Sequence, residues 1–248
     1  MLLIAGLWLD GSAWDEVVPA LEARGCRPVP LTLPGQGDGS TAATLDDQVA
    51  AVLAAIDAAS GPVMVVGHSA ACTLAWLAAD ARPDRVAKVA LIGGFPAADG
   101  ERYADFFDTS DGVMPFPGWD RFEGPDSADL DEDARNRMAA AAIPVPVGVS
   151  KGVVRLSDER RFDVPVVLSC PEFSPSQAQA WIGAGDVPVV LVCPEFTPAQ
   201  AQEWISAGGL PELVRVKHLD FVDIDSGHWP MISRPDELAR LLAAAAED

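Results

Sequence analysis

The run Val63-Met64-Val65-Val66-Gly67-His68-Ser69-Ala70-Ala71 constrains this chain more than any other stretch. Four apolar β-formers lead into a glycine, and an alanine-rich helical pattern from Ala70 to Ala81 begins directly after Ser69, so the backbone must reverse at the serine. A strand that becomes a helix across one residue needs small side chains around the bend, because backbone meets backbone there. The bend lifts the hydroxyl to the carboxyl end of a strand and leaves it at a helix amino terminus, where the Ala70 N–H and the helix dipole meet developing negative charge. A serine in this place can also do no more than cap a helix, and the rest of the chain has to separate the two readings.

The rest alternates strands with helices. Leu2-Leu3-Ile4-Ala5 is a continuous apolar run of the kind that a strand buried on both faces requires, and Trp14, Val17, Val18 and Leu21 then recur at helical spacing up to Gly25. Cys26 to Leu33 reads as a second strand. Thr44-Leu45-Asp46-Asp47 opens a helix through Ala59, and Val86 to Ile92 reads as the strand after the elbow helix. Strands separated by helices of about a dozen residues imply an α/β fold with a mostly parallel, doubly wound sheet and right-handed crossovers. The turn Pro34-Gly35-Gln36-Gly37-Asp38-Gly39 is glycine-rich, but no helix follows at phosphate-cradling spacing, so no nucleotide fingerprint is present.

From Gly93 to Asp163 the rhythm breaks. Proline, glycine and acidic residues dominate, one helical pattern lies near Asp131 to Ala142, and aromatics are spread from Phe95 to Phe122. Loops of this length inside a compact domain are usually functional. The aromatics either line an apolar pocket or fasten an irregular loop to the body.

Residues 164–185 then recur as 187–208, with 17 of the 22 aligned positions identical and an offset of 23. Each copy reads as a strand, a Cys-Pro-Glu-Phe turn and a helix that proline opens and glycine ends. Two copies are too few for a solenoid, so the repeat is a local duplication of one βα unit. One added strand shifts its neighbours by about 4.8 Å, so only one copy can stand beside a given site. The second copy runs into the last strand and is the expected native partner. An extra strand elsewhere, a looped-out copy, or exchange between two chains to give a homodimer remain open.

Phe221-Val222-Asp223-Ile224 reads as that last strand, followed by Asp225-Ser226-Gly227-His228-Trp229-Pro230 and a helix from Pro235 to Ala246. His228 alone among the three histidines sits in a glycine-flanked turn after a strand. His68 lies within the elbow and points beside the serine, and His218 lies in a charged Lys-His-Leu-Asp stretch where solvation is expected.

Composition narrows the partners. The formal charge is 17 − 37 = −20, which argues against nucleic acid or anionic membrane as a partner and is explained by solubility. Cys26, Cys72, Cys170 and Cys193 lie in or beside apolar runs without metal-ligand spacing, so buried thiols in a reducing compartment are expected, and no metal. The apolar start from Met1 to Leu9 lacks a basic leader and is too short to cross a bilayer, so a cytoplasmic location is the expectation.

Gly67-His68-Ser69-Ala70-Ala71, the Ser226 to Pro235 stretch and the strand-helix order together resemble the α/β-hydrolase family, whose nucleophile elbow reads G-x-S-x-G. Ala71 stands where that motif has its last glycine. The resemblance covers nearly the whole chain. It implies one domain over residues 1–248, with a cap inserted at about 95–163 and the duplicated unit beside the site. It also implies an esterase-type hydrolase that acts on a small-molecule substrate and needs no cofactor. Ser69 would be the nucleophile and His228 the base, with Leu7 and Ala70 as oxyanion donors and Trp8 and Trp229 in the substrate pocket. The resembled family has a histidine where this chain has Ala5. The triad acid follows the penultimate strand in that family, which points to Glu195 in the second copy. Glu172 in the first copy and Asp99 after the strand Val86 to Ile92 are alternatives. Two rival functions remain: a hydroxynitrile-lyase-like lyase using the same residues, for which Lys151 in the insertion is the candidate lysine, and a non-catalytic small-molecule binder.

Overall fold

The computed structural model describes residues 1–164, 166–168, 190–192 and 198–247. Strand β1 (Leu2–Ile4) pairs in parallel with β2 (Val29–Leu31) on one side and β3 (Val63–His68) on the other, and β4 (Val86–Ile92) runs parallel beside β3. All of β1 and β3 is buried, as expected of apolar runs that lack a polar alternation. Successive side chains feed two separate cores. Leu2, Ile4, Val65 and Leu91 pack on one face with Val52, Ile56 and Leu74. Leu3, Val66, Ala90 and Ile92 pack on the other with Trp14, Leu21, Leu238 and Leu242. Helices therefore cover both faces, the doubly wound arrangement that the sequence implied.

The helical spacing from Trp14 to Leu21 resolves into two pieces, a 3₁₀ turn over Gly11–Trp14 and helix α1 over Val18–Glu22. Pro19 explains the division, because it has no N–H to continue a helix that began at Trp14. Helix α2 (Leu45–Ala58) starts at a capping box: the Asp47 N–H donates to the Thr44 hydroxyl at 3.2 Å, and the Thr44 N–H donates to the Asp47 carboxylate at 2.9 Å. Helix α3 (Ala71–Ala81) leaves the elbow and is buried along nearly its whole length.

Residues 93–163 carry a short antiparallel pair, β5 (Val113–Met114) with β6 (Val145–Pro146), together with the helices Glu132–Ala141 and Val147–Ser150. A buried ion network ties the end of this stretch to α3. Arg161 donates to Asp80 and to Glu212, each at 3.1 Å, and the Trp76 indole N–H donates to the same Glu212 oxygen at 3.0 Å.

Strand β7 (Val166–Leu168) comes from the first copy of the repeat, β8 (Val190–Val192) from the second, and β9 (Leu219–Phe221) follows. The main sheet runs in the order β2-β1-β3-β4-β7-β9-β8, and β8 additionally pairs with β4; every pairing in it is parallel. The last strand thus lies two residues before the expected Phe221 to Ile224. Its side chains are only half-buried, so its place in the sheet comes from backbone pairing and leaves no apolar run to mark it. The same displacement corrects the expectation for His218. It stands directly before β9 and is 7% exposed, buried rather than solvated. Among the described residues no helix is long and apolar enough to cross a membrane.

Candidate active site

The elbow follows from crowding. Ser69 takes φ +55°, a left-handed conformation that a non-glycine residue holds only under constraint from its surroundings. That constraint is visible. The Ser69 N–H donates to the Ile92 carbonyl at 2.7 Å, the Cys72 N–H donates back to the Ser69 carbonyl at 3.0 Å, and a Cβ on Gly67 would collide with the Ala71 carbonyl. Gly6 is needed for the same reason, since a Cβ there would stand 2.8 Å from the Ser69 Cβ. Ala71 is fully buried against this turn.

Opposite the elbow, His228 Nε2 lies 3.0 Å from Ser69 Oγ across 159 residues of sequence. Three contacts hold the histidine loop there. The His228 N–H donates to the Asp126 carbonyl at 2.6 Å, the Gly227 N–H donates to the Asp129 carboxylate at 2.7 Å, and His68 Nε2 lies 2.8 Å from the His228 carbonyl. The Gly6 N–H points at His68 Nδ1, 3.3 Å away, so Nδ1 carries the lone pair and Nε2–H donates to the carbonyl. His68 thereby ties the turn after β1 to the histidine loop.

Burial keeps both imidazoles neutral. It holds the His228 pKa well below the ordinary 6.5, with the neighbouring His68 adding to the effect, and lowers His68 to about 4 against the opposing hydrogen bond to the His228 carbonyl. A neutral Nε2 facing a hydroxyl is the state a general base requires. The Cys72 thiol, just inside α3, lies 3.3 Å from the Gly67 carbonyl, and burial pushes its pKa up, so it stays a thiol.

Among the described residues, neither the Leu7 nor the Ala70 N–H donates to a protein acceptor. Leu7 occupies the turn after β1, next to Trp8 at φ +63°, and Ala70 the first position after the serine. Of the three candidate acids, Glu195 and Glu172 lie outside the described residues. Asp99 is exposed and accepts the Leu156 N–H at 2.8 Å.

A cleft of about 670 Å³ opens at Ser69 and is lined by Thr73, Phe95, Tyr103, Phe106 and Leu210 among others, with Glu101, Arg102 and Asp105 adding polar groups. The aromatics after β4 therefore divide. Phe95, Tyr103 and Phe106 face this cleft, whereas Phe107, Phe116, Trp119 and Phe122 form a cluster with Trp8 and Trp229. Trp8 and Trp229, expected in the substrate pocket, are 7% and 4% exposed, and neither lines the large cleft. Trp8, with Gly6 and Leu7, lines a separate small cavity. Trp229 still packs edge-on against the His228 ring at 4.8 Å.

The bridging role of His68 was hidden because its two partners are remote in sequence. Asp126 and Asp129 carried no signal at all, being two carboxylates among many in an irregular acidic stretch. Among the described residues no group of His, Cys, Asp and Glu is arranged to hold a metal ion.

Comparison with known proteins gives a consistent result. The family described as the Alpha/beta hydrolase family matches residues 1–241. Lipase LipV of Mycobacterium tuberculosis is 35% identical over 114 residues, which amount to 44% of this chain and 42% of the lipase, so the chain spans less than half the length of that curated relative. Among solved structures, an extracellular alpha/beta-hydrolase from a Paenibacillus species, described as sharing structural and functional homology with tobacco salicylic acid binding protein 2, has a TM-score of 0.73 at 16% identity. That alignment covers 100% of this chain and 98% of the other. A methylesterase protein from Arabidopsis has a TM-score of 0.71 at 13% identity, covering 99% and 98%. At such identities the two structures speak for the fold alone.

Proposed function

Because the chain belongs to the alpha/beta hydrolase family, we propose that it is a serine hydrolase that cleaves a carboxylic ester or a related small acyl substrate through an acyl-enzyme. The observation that carries this reading is the 3.0 Å approach of the neutral His228 Nε2 to the hydroxyl of Ser69, on an elbow that opens into a cleft. In the proposed reaction His228 takes the Ser69 proton as the serine oxygen bonds to the substrate carbonyl carbon. The negative charge moves onto the carbonyl oxygen, where the Leu7 and Ala70 N–H groups receive it. The carbonyl re-forms, the C–O bond to the leaving alcohol breaks, and His228 returns the proton to that alcohol. Water then repeats the sequence on the acyl-serine and releases the acid. The resulting imidazolium needs a carboxylate behind it, and Glu195 is assigned that role, with Glu172 as its equivalent in the first copy.

The test is covalent labelling by a fluorophosphonate together with hydrolysis of a short-chain ester series. Wild type should label once and turn over, and Ser69→Ala should do neither. Labelling retained in Ser69→Ala would defeat the assignment.

A lyase that transfers protons through the same residues is the second reading. Lys151 favours it, because its ion-pair partner Asp105, at 3.8 Å, lines the cleft. Measuring cyanohydrin cleavage beside ester hydrolysis separates the two, and tight ligand binding without turnover of either would mark a binding protein instead.

A further inference from the structure

Both copies of the repeat contribute a strand, and the two strands claim the same neighbours. In the first copy Val166 pairs with Val89 of β4 and with Leu219 of β9, and Val167 pairs with Asp220. In the second, Val190 pairs with Ala90 of β4 and with the same Asp220 of β9. Val167 and Val190 are equivalent residues, since 190 − 167 is the repeat offset of 23. The register is therefore the same in both copies: Val166 opposite Val89 sets Val167 level with Ala90, which is where Val190 lies.

A strand that pairs with both β4 and β9 lies between them, and a slot between two strands that are each about 4.8 Å from the intervening one holds a single strand. We propose that the two copies are interchangeable occupants of this one position, and that only one is paired there at a time. Little in the strand sequence favours either copy: Val-Pro-Val-Val-Leu is identical in both, 164–168 against 187–191, and the one difference within a strand is the last residue of β8, Val192, where the first copy has Ser169. Connection length decides little. The unused copy adds its residues to the loop before the slot or to the loop after it, and the closure cost of a loop grows only slowly with its length. The other four differences, at 174/197, 176/199, 180/203 and 183/206, fall after the strand.

The consequence for catalysis rests on the serine hydrolase reading above. Glu172 stands five residues after Val167, and Glu195 five after Val190, inside an identical Cys-Pro-Glu-Phe. Because the sequence that follows the slot strand is the same Cys-Pro-Glu-Phe in either copy, the proposal makes the two glutamates alternative acids for His228.

Proline in the slot strand removes a ladder donor and excludes that copy. The full chain is compared with Val167→Pro, Val190→Pro and the double variant by thermal unfolding and by hydrogen exchange of the peptides spanning 166–168 and 190–192. Each single variant should keep the unfolding midpoint within a few degrees, and Val190→Pro should raise protection at 166–168 while Val167→Pro raises it at 190–192. The double variant should lose the cooperative transition. A single variant as damaged as the double would show that one copy owns the slot, and a double variant that unfolds like wild type would show that neither copy is needed; either result overturns the proposal.

Two deletions, of residues 164–186 and of 186–208, each leave one copy with the original junction residues and should both fold. If only one folds, the copies are not interchangeable. Within each folded deletion the remaining glutamate is changed, Glu195→Gln in the first and Glu172→Gln in the second, and each should lower ester turnover by about 10³-fold or more, as loss of a triad acid does. If the slot results hold but turnover survives both changes, the acid assignment fails and the shared slot stands.

Discussion

Ser69 and His228 meet because several groups that do no chemistry leave them no alternative. His68 links the turn after β1 to the histidine loop, and Asp126 and Asp129 hold that loop from the other side. Substitution at His228 should therefore act on chemistry while substitution at His68 acts on geometry. His228→Ala is expected to lower ester turnover by about 10⁴-fold or more with the fold retained; turnover within tenfold of wild type would remove His228 from the mechanism. The pH profile follows from burial. With its pKa held well below 6.5, His228 stays neutral through mildly acid solution, so the acid limb of kcat/KM should lie below pH 6.5. Stability has its own window. The unfolded chain binds a proton at His68 as the pH falls below 6.5, whereas the native chain resists until about 4, so stability present above 6.5 is lost between those values. Chemical denaturation at pH 7.5 and pH 4.5 should register the loss, and His68→Gln should shrink it.

Helix α2 begins at the reciprocal Thr44–Asp47 cap, and α3 begins at the elbow with no side-chain cap at all. The two starts differ in what holds them. The first rests on a local hydrogen-bond pair that the order Thr-Leu-Asp-Asp announces, and Thr44→Ala should lower the unfolding midpoint by about 2–4 °C, readable by calorimetry. The second rests on close packing, so Gly67→Ala should be worse than any cap variant: its methyl meets the carbonyl of Ala71, and α3 must move or the elbow must open. A Gly67→Ala protein as stable and active as wild type would show that the turn is looser than its contacts imply. Strands behave differently again. β1, β3 and β4 were readable from their apolar runs, whereas β9, half-buried at Leu219–Phe221, carries no such run and was expected two residues too late.

Across the molecule the Ser69–His228 pair sits on the carboxyl edge of a parallel sheet, and residues 93–163 are fastened to the body by aromatic packing and by the Arg161 network. Arg161 is 5% exposed and faces Asp80 and Glu212, so its loss would strand two carboxylates away from water. Arg161→Met should cost about 3–5 kcal/mol in urea unfolding, and a cost below about 1 kcal/mol would mean that water reaches the site once the guanidinium is gone. The same network joins the 157–163 loop to α3, so a weakened Arg161 variant should also raise KM for bulky esters as the cleft walls loosen.

The elbow, the βα rhythm, the histidine turn and the repeat were all legible in the chain alone, because each is a local pattern whose physics acts within a few residues. Apolar runs mark buried strands, small residues mark a tight bend, and identity at an offset of 23 needs no coordinates to detect. What could not be read were the relations that pairing and packing settle at long range: the register of β9, the burial of His218, the division of the aromatics between cleft and cluster, and the claim of two nearly identical strands on the same neighbours. Each of those depends on which surfaces remain free once the others have met, and a linear order of residues carries no record of that competition.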